Sequence, residues 1–149
     1  MRKINEIIIH CSDTLEGRDF SAEDIRTWHM TPKEKGGRGF SDIAYHFVIR
    51  LDGSIELGRP IERWGAHCRG HNMHSIGICY VGGRRPVPVN KKGYVWDDTR
   101  TPAQLEAMEN LVKLLKKYIP EATIHGHREF ANRACPCFDV KKWLQTIGL

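Results

Sequence analysis

The chain has 149 residues, the length of one average domain, and is long enough to bury a core without disulfide staples. Hydrophobic residues make up 40% and charged residues 28%, a globular mix that excludes a disordered chain. The net charge of +5 favours anionic partners (nucleic acid, membrane surfaces or wall polymers) without choosing among them. The early apolar run Ile7-Ile8-Ile9 is too short for a membrane span or a signal core, so synthesis in the cytoplasm without a signal peptide is expected. Five cysteines at irregular spacing point to free thiols or metal ligands rather than a disulfide framework.

In chain order, Ile4 to Cys11 is β-branched and short, and reads as a buried strand. Ser21 is an N-cap signal, and Ile25, Trp28 and His29 behind it fall on one helical face until Pro32 and Gly36-Gly37 open a loop. Ala44 to Leu51 reads as a strand, Asp52-Gly53 as a turn and Ser54 to Leu57 as the hairpin partner. Ser75 to Val81 is a further strand, and residues 84–100 read as a basic surface loop. Thr101-Pro102-Ala103-Gln104 has the form of a capping box with proline at N1. Leu105, Met108, Leu111, Val112, Leu115 and Tyr118 follow as an apolar stripe read as core. Ala122 to His125 is a short strand, and a terminal helix starts near Asp139. The expected fold is a single α/β domain over residues 1–149, with a central mixed sheet of about five to six strands flanked by helices.

Chemistry gathers at two places. His10 ends the first strand, and His125-Gly126-His127 with Cys135-Pro136-Cys137 places two histidines and two cysteines in a short stretch. Three ligands drawn from these suit a zinc with one position left for water, while all four of the later group suit a closed structural zinc. Spacing alone leaves both open.

Several segments occur together in a fixed order: Ile8-Ile9-His10-Cys11-Ser12, Tyr45-His46-Phe47-Val48-Ile49, Gly65-Ala66-His67 with Asn72, His74-Ser75-Ile76-Gly77-Ile78, Thr101-Pro102-Ala103-Gln104-Leu105, and His127-Arg128-Glu129 through Ala134-Cys135-Pro136. From about residue 4 to 144 the chain resembles the zinc-dependent N-acetylmuramoyl-L-alanine amidases of the bacteriophage-lysozyme and peptidoglycan-recognition type. That resemblance implies cleavage of the amide between the lactyl group of N-acetylmuramic acid and L-alanine. It also implies one zinc per chain, held by His10, His127 and Cys135, with Tyr45 as the active-site tyrosine. His67 falls in the segment that borders the family's substrate groove, and Asn72 either meets the stem peptide or holds the loop; both are assigned to substrate binding. Phage members carry lysine two residues before the zinc cysteine, where this chain has Arg133. Arginine keeps the charge for an oxyanion but cannot act as a general acid near neutral pH.

By strand alternation His46 faces away from Tyr45 and reads as a structural hydrogen-bonder. His125 is read as a support for the metal site or as a half-buried residue, and His71 and His74 as surface or structural. The remaining cysteines read as buried thiols. The expectation is therefore a monomeric peptidoglycan or muropeptide hydrolase that neither binds nucleic acid nor inserts in membrane. A non-catalytic wall-binding module is the alternative, disfavoured because such members lack the zinc cysteine and Cys135 is present. A nucleic-acid binder is suggested only by the Arg84-Arg85 and Lys91-Lys92 pairs, with no motif behind them. Action on the wall after phage-type release and action on cytosolic wall fragments both fit.

Overall fold

A computed structural model describes residues 2–149. Its elements run β1 (Glu6–Cys11), β2 (Thr14–Leu15), α1 (Ala22–Met30), β3 (Phe47–Ile49), β4 (Ile55–Leu57), β5 (Ser75–Tyr80), β6 (Gly83–Pro86), β7 (Tyr94–Trp96), α2 (Pro102–Tyr118), β8 (Thr123–Gly126) and α3 (Val140–Thr146). Five strands form a mixed sheet in the order β4-β3-β5-β1-β8, in which only β4 pairs antiparallel, and β2-β6-β7 form a small second sheet. The α/β architecture expected from the sequence is the one found.

Alternation in the central strands divides the molecule. Ile7, Ile9 and Cys11 of β1 join Ile76, Ile78 and Tyr80 of β5, and pack with Met108, Leu111, Val112 and Leu115 of α2 and Trp143 and Leu144 of α3. Each fully buried isoleucine is worth about 1.5–3 kcal/mol, so this face carries much of the stability. The opposite face packs Ala22 and Ile25 of α1 against Ile43, Val48 and Val81. The register pairs Ile8 with Gly77 and His10 with Cys79, which puts His10 on the α1 side of the sheet.

Both long-helix starts are capped as the sequence predicts. Asp24 N–H donates to Ser21 Oγ at 3.1 Å and Gln104 N–H to Thr101 Oγ1 at 3.0 Å, each with the reciprocal bond. Gln104 does more than cap. It is fully buried, and its amide nitrogen donates to Ile49 O at 3.2 Å and Val81 O at 3.0 Å, which ties α2 to the sheet.

Four expectations need correction. Trp28 is exposed and packs edge-on against Phe20, because the inward face of α1 is Ala22, Ile25 and His29. Leu105 and Tyr118 lie outside the core, since the apolar stripe of α2 is narrower than its sequence. The strand expected from Ala44 joins the ladder only at Phe47. Before it, side chains share the bonding with the main chain: Ala44 N–H donates to His29 Nδ1 at 2.9 Å and Gly77 N–H to His46 Nδ1 at 3.0 Å, while His46 N–H donates to Gly77 O at 2.9 Å. Residues 84–100 are not a bare basic loop, for they contain β6 and β7. Arg84 donates to both carboxylate oxygens of Asp13, at 2.7 and 2.9 Å, and Arg85 pairs with Asp97 and Glu16. Among the described residues no helix is long and apolar enough to cross a membrane.

Candidate metal centre and active site

The carboxyl ends of β1 and β8 build the site. The two strands run parallel with Ile9 opposite Gly126, so the residues that follow, His10 and His127, emerge side by side with ring centroids 4.5 Å apart. Crevices at the carboxyl ends of parallel strands are where open α/β sheets place their ligands. Cys135 reaches the same point from the loop between β8 and α3. That loop is tied down by Arg128 N–H donating to Cys135 O at 2.8 Å and by the Tyr80 hydroxyl donating to Pro136 O at 2.7 Å.

One donor atom from each of His10, His127 and Cys135 lies within 4.8 Å of the other two. The donor set fits a metal. Two imidazoles and a thiolate are a tetrahedral zinc's ligand types, and three ligands leave one position free. Burial, chiefly, holds His10 well below the ordinary histidine range and lowers His127, with Arg133 adding to both, so the rings are neutral donors at neutral pH. Cys11 N–H donates to Cys135 Sγ at 3.3 Å, an arrangement that suits an anionic sulfur. Cys137 is not in this group, and its sulfur lies 3.8 Å from that of Cys11.

Residues 1–138 match the family model described as N-acetylmuramoyl-L-alanine amidase. The chain belongs to this family. The amidase is 41% identical over 144 residues to the endolysin of Escherichia phage T7, covering 96% of this chain and 87% of that protein. It is 38% identical over 148 residues to the endolysin of Klebsiella phage KP32, covering 99% and 90%. Its fold superposes with a TM-score of 0.74 on N-acetylmuramoyl-L-alanine amidase LysC from Clostridium intestinale, at 23% identity over 99% of this chain and 87% of that one. The protein is an enzyme of peptidoglycan breakdown, and the bond it cuts joins N-acetylmuramic acid to L-alanine.

In the amidase Tyr45 stands beside the candidate ligands, its ring centroid 5.2 Å from that of His10 and 5.5 Å from that of His29. Burial pushes the Tyr45 phenol well above its ordinary value, so it keeps its proton at neutral pH. His29 backs the Tyr45 ring and, largely buried, is held down to about 4. Arg133 is exposed at the rim of an open cavity of about 460 Å³ that Arg128, Asn132 and Lys141 also line.

The other histidines and Asn72 lie around this centre. His67 does not line an open groove: it is 7% exposed, and its ring nitrogens face His10 Nε2 at 2.8 Å and Ser75 Oγ at 3.1 Å. The ring lies behind His10. Asn72 turns its side-chain oxygen inward to accept from His67 N–H and Cys68 N–H, both at 2.9 Å, and so holds the loop, one of its two readings. Of the two readings of His125, the half-buried residue is the one seen, with its nitrogens 3.0 Å from Glu129 and 2.8 Å from Thr123. His46 is the structural hydrogen-bonder expected, with Nδ1 taking Gly77 N–H and Nε2 2.9 Å from Arg63 O. His71 pairs with Glu6 at 2.9 Å and stacks on Phe130. The sequence reading missed His29 behind Tyr45. The signal available was the i, i+4 spacing of Ile25 and His29, which places both on the buried face of α1.

Proposed function

We propose that the chain is a single zinc amidase domain in which His10, His127 and Cys135 hold the metal and Tyr45 and Arg133 assist the reaction. The convergence of those three donor atoms within 4.8 Å carries the reading. When bound, zinc supplies Lewis acidity toward the scissile carbonyl and lowers the pKa of water to about 7. The protein supplies the rest. Neutral Tyr45 holds a proton on Oη beside the metal centre and donates it as a hydrogen bond to the carbonyl oxygen as negative charge builds there. The ring lies between His10 and His29. Arg133 acts electrostatically on both His10 and His127, so its permanent positive charge is near enough to suit the same oxyanion, and it releases no proton near neutral pH.

The phage endolysins it matches support action on the wall during lysis, with peptidoglycan as the partner. The deciding experiment digests purified wall with and without a chelator and identifies the new termini by mass spectrometry. The expected products carry a free L-alanine amine and an intact lactyl carboxylate, and chelation stops their release. Elemental analysis of Cys135→Ala should show the zinc gone. Undiminished zinc in that variant overturns the ligand set.

A further inference from the structure

We infer that His67 and Ser75 form a positioning relay behind His10, which holds His10 as its Nε2–H tautomer and keeps Nδ1 bare for the metal. The inference rests on the ligand set proposed above.

The geometry fixes which nitrogen of His10 is available. Nε2 faces His67 Nδ1 at 2.8 Å, while Nδ1 faces Cys135 Sγ at 3.8 Å. A cation shared with Cys135 therefore binds His10 through Nδ1, and the ring proton must sit on Nε2. That proton is donated to His67 Nδ1, which must then be bare. His67 in turn carries its proton on Nε2 and donates it to Ser75 Oγ at 3.1 Å. Each step follows from the one before. Reversed, the chain of bonds puts a proton on His10 Nδ1, where it blocks a cation. A hydroxyl at the far end can accept or donate, so Ser75 closes the relay in the state that binds metal without leaving a buried orphan.

The site is built for this ring. Ser75 is fully buried, and Ser75 and Gly77 point to the same face of β5. A Cβ on Gly77 would lie 2.6 Å from His67 Cδ2, and a Cβ on Gly65 would lie 2.5 Å from the same atom. Glycine at both positions thus leaves the room, or slot, that the imidazole occupies. The main-chain N–H of His67 is held by Asn72 Oδ1, which fixes the backbone end of the ring. His46, the other histidine beside the slot, has its nitrogens engaged by Gly77 and Arg63 and takes no part.

His67 touches neither substrate nor metal in this account, so its test reads the metal and the tautomer instead of turnover alone. Zinc affinity is measured by chelator competition on the full chain, and ring protonation by nitrogen-15 NMR of the zinc-loaded protein. Wild type should show His67 as the neutral Nε2–H tautomer. His67→Phe, which fills the slot without an acceptor, should bind zinc about 10–100-fold more weakly. His67→Gln should restore most of that loss, because its carbonyl accepts from His10 and its amide donates to Ser75. Ser75→Ala should weaken zinc by about five-fold, the worth of one hydrogen bond.

His67 found as the Nδ1–H form or as imidazolium overturns the relay, as does equal zinc affinity in wild type, His67→Phe and His67→Gln. Should His67→Phe fail to fold, the wild-type tautomer and the Ser75→Ala affinity decide. Zinc lost in Cys135→Ala but unchanged in His67→Phe removes the relay alone. Undiminished zinc in Cys135→Ala, or a wild type that takes up none, removes the ligand set and the relay with it.

Discussion

Adding one methyl group at Gly77 tests how tightly the metal centre depends on the packing beneath it. The new Cβ of Gly77→Ala would sit 2.6 Å from His67 Cδ2, 2.7 Å from Cγ and 2.9 Å from Nε2. Ordinary carbon contacts need about 3.5–4.0 Å, so the ring must retreat by roughly 1 Å or the strand must shift. Gly65 also lies against the same ring atom, so the neighbourhood of the ring is tight. The His67–His10 bond of 2.8 Å therefore stretches out of hydrogen-bonding range. Overpacking of this kind costs about 1–3 kcal/mol, which for a domain of this size lowers the melting temperature by roughly 2–12 °C. Zinc affinity should fall by about 10–100-fold at the same time. The control is Ile76→Val, one residue away but on the α2 face. It should lose about 0.5–1.5 kcal/mol with no change in zinc affinity. Thermal melts of the metal-free proteins and chelator competition separate the two effects. Gly77→Ala with wild-type melting and wild-type zinc binding would refute the slot.

Tyr45→Phe should keep its zinc and its melting temperature yet turn over a defined muropeptide about 10²–10⁴-fold more slowly in steady-state kinetics. Arg133→Ala should lose about 10²–10³-fold in kcat, while Arg133→Lys keeps substantial activity because the charge remains. Equal losses in both, mainly in KM, would instead mark a two-pronged contact to a substrate carboxylate. Gln104→Leu leaves Thr101 N–H and Val81 O without the bonds Gln104 gives them, and should lower the unfolding free energy by about 2–4 kcal/mol in denaturant titrations without altering kcat of the folded enzyme. Burial holds His29 and His46 near 4 against an unfolded value near 6.5, so the unfolded chain binds more protons between those limits. Stability is fully present above about pH 6.5 and should fall as pH drops toward 4, by up to about 3 kcal/mol for each ring. Replacing His46 with Gln should flatten that slope in urea titrations across the window.

Local rules made much of the fold legible. The isoleucines of β1, the two capping boxes and the Asp52-Gly53 turn each announce themselves within a few residues, and the structure places elements there. Leu105 and Tyr118 misled because helical spacing says which residues share a face and not how far the core extends around it. The β6–β7 hairpin was invisible for a different reason. Its strands have no apolar alternation, and side-chain pairs such as Arg84 with Asp13 and Trp96 with Asp13 span many residues. The three candidate ligands came from resemblance, since spacing alone left the closed four-ligand site open. His67 could not be read correctly at all. Its partners are set by the β1–β5 register and by the path of the loop after Gly65, neither of which is written in its neighbours.

The three donors are not held alike, and the difference follows from where they lie. His10 belongs to a strand paired on both sides, with β5 and β8, and follows three fully buried isoleucines. Sliding β1 by one residue would turn Ile9 toward α1, drive His10 under α2 and break both ladders at once, so the apolar pattern that specifies the core also aims the histidine. His127 inherits the same register through Gly126, because β8 is locked to β1 as far as Ile9. Cys135 has no such strand beneath it. Its loop depends on Arg128 N–H at Cys135 O, Cys137 N–H at Ala134 O and the Tyr80 hydroxyl at Pro136 O. Two ligands are thus fixed by the folding of the sheet itself, and the third is brought to them by a few hydrogen bonds. Tyr80, rooted in β5 on the α2 face, connects the stability core to the loop that completes the metal centre.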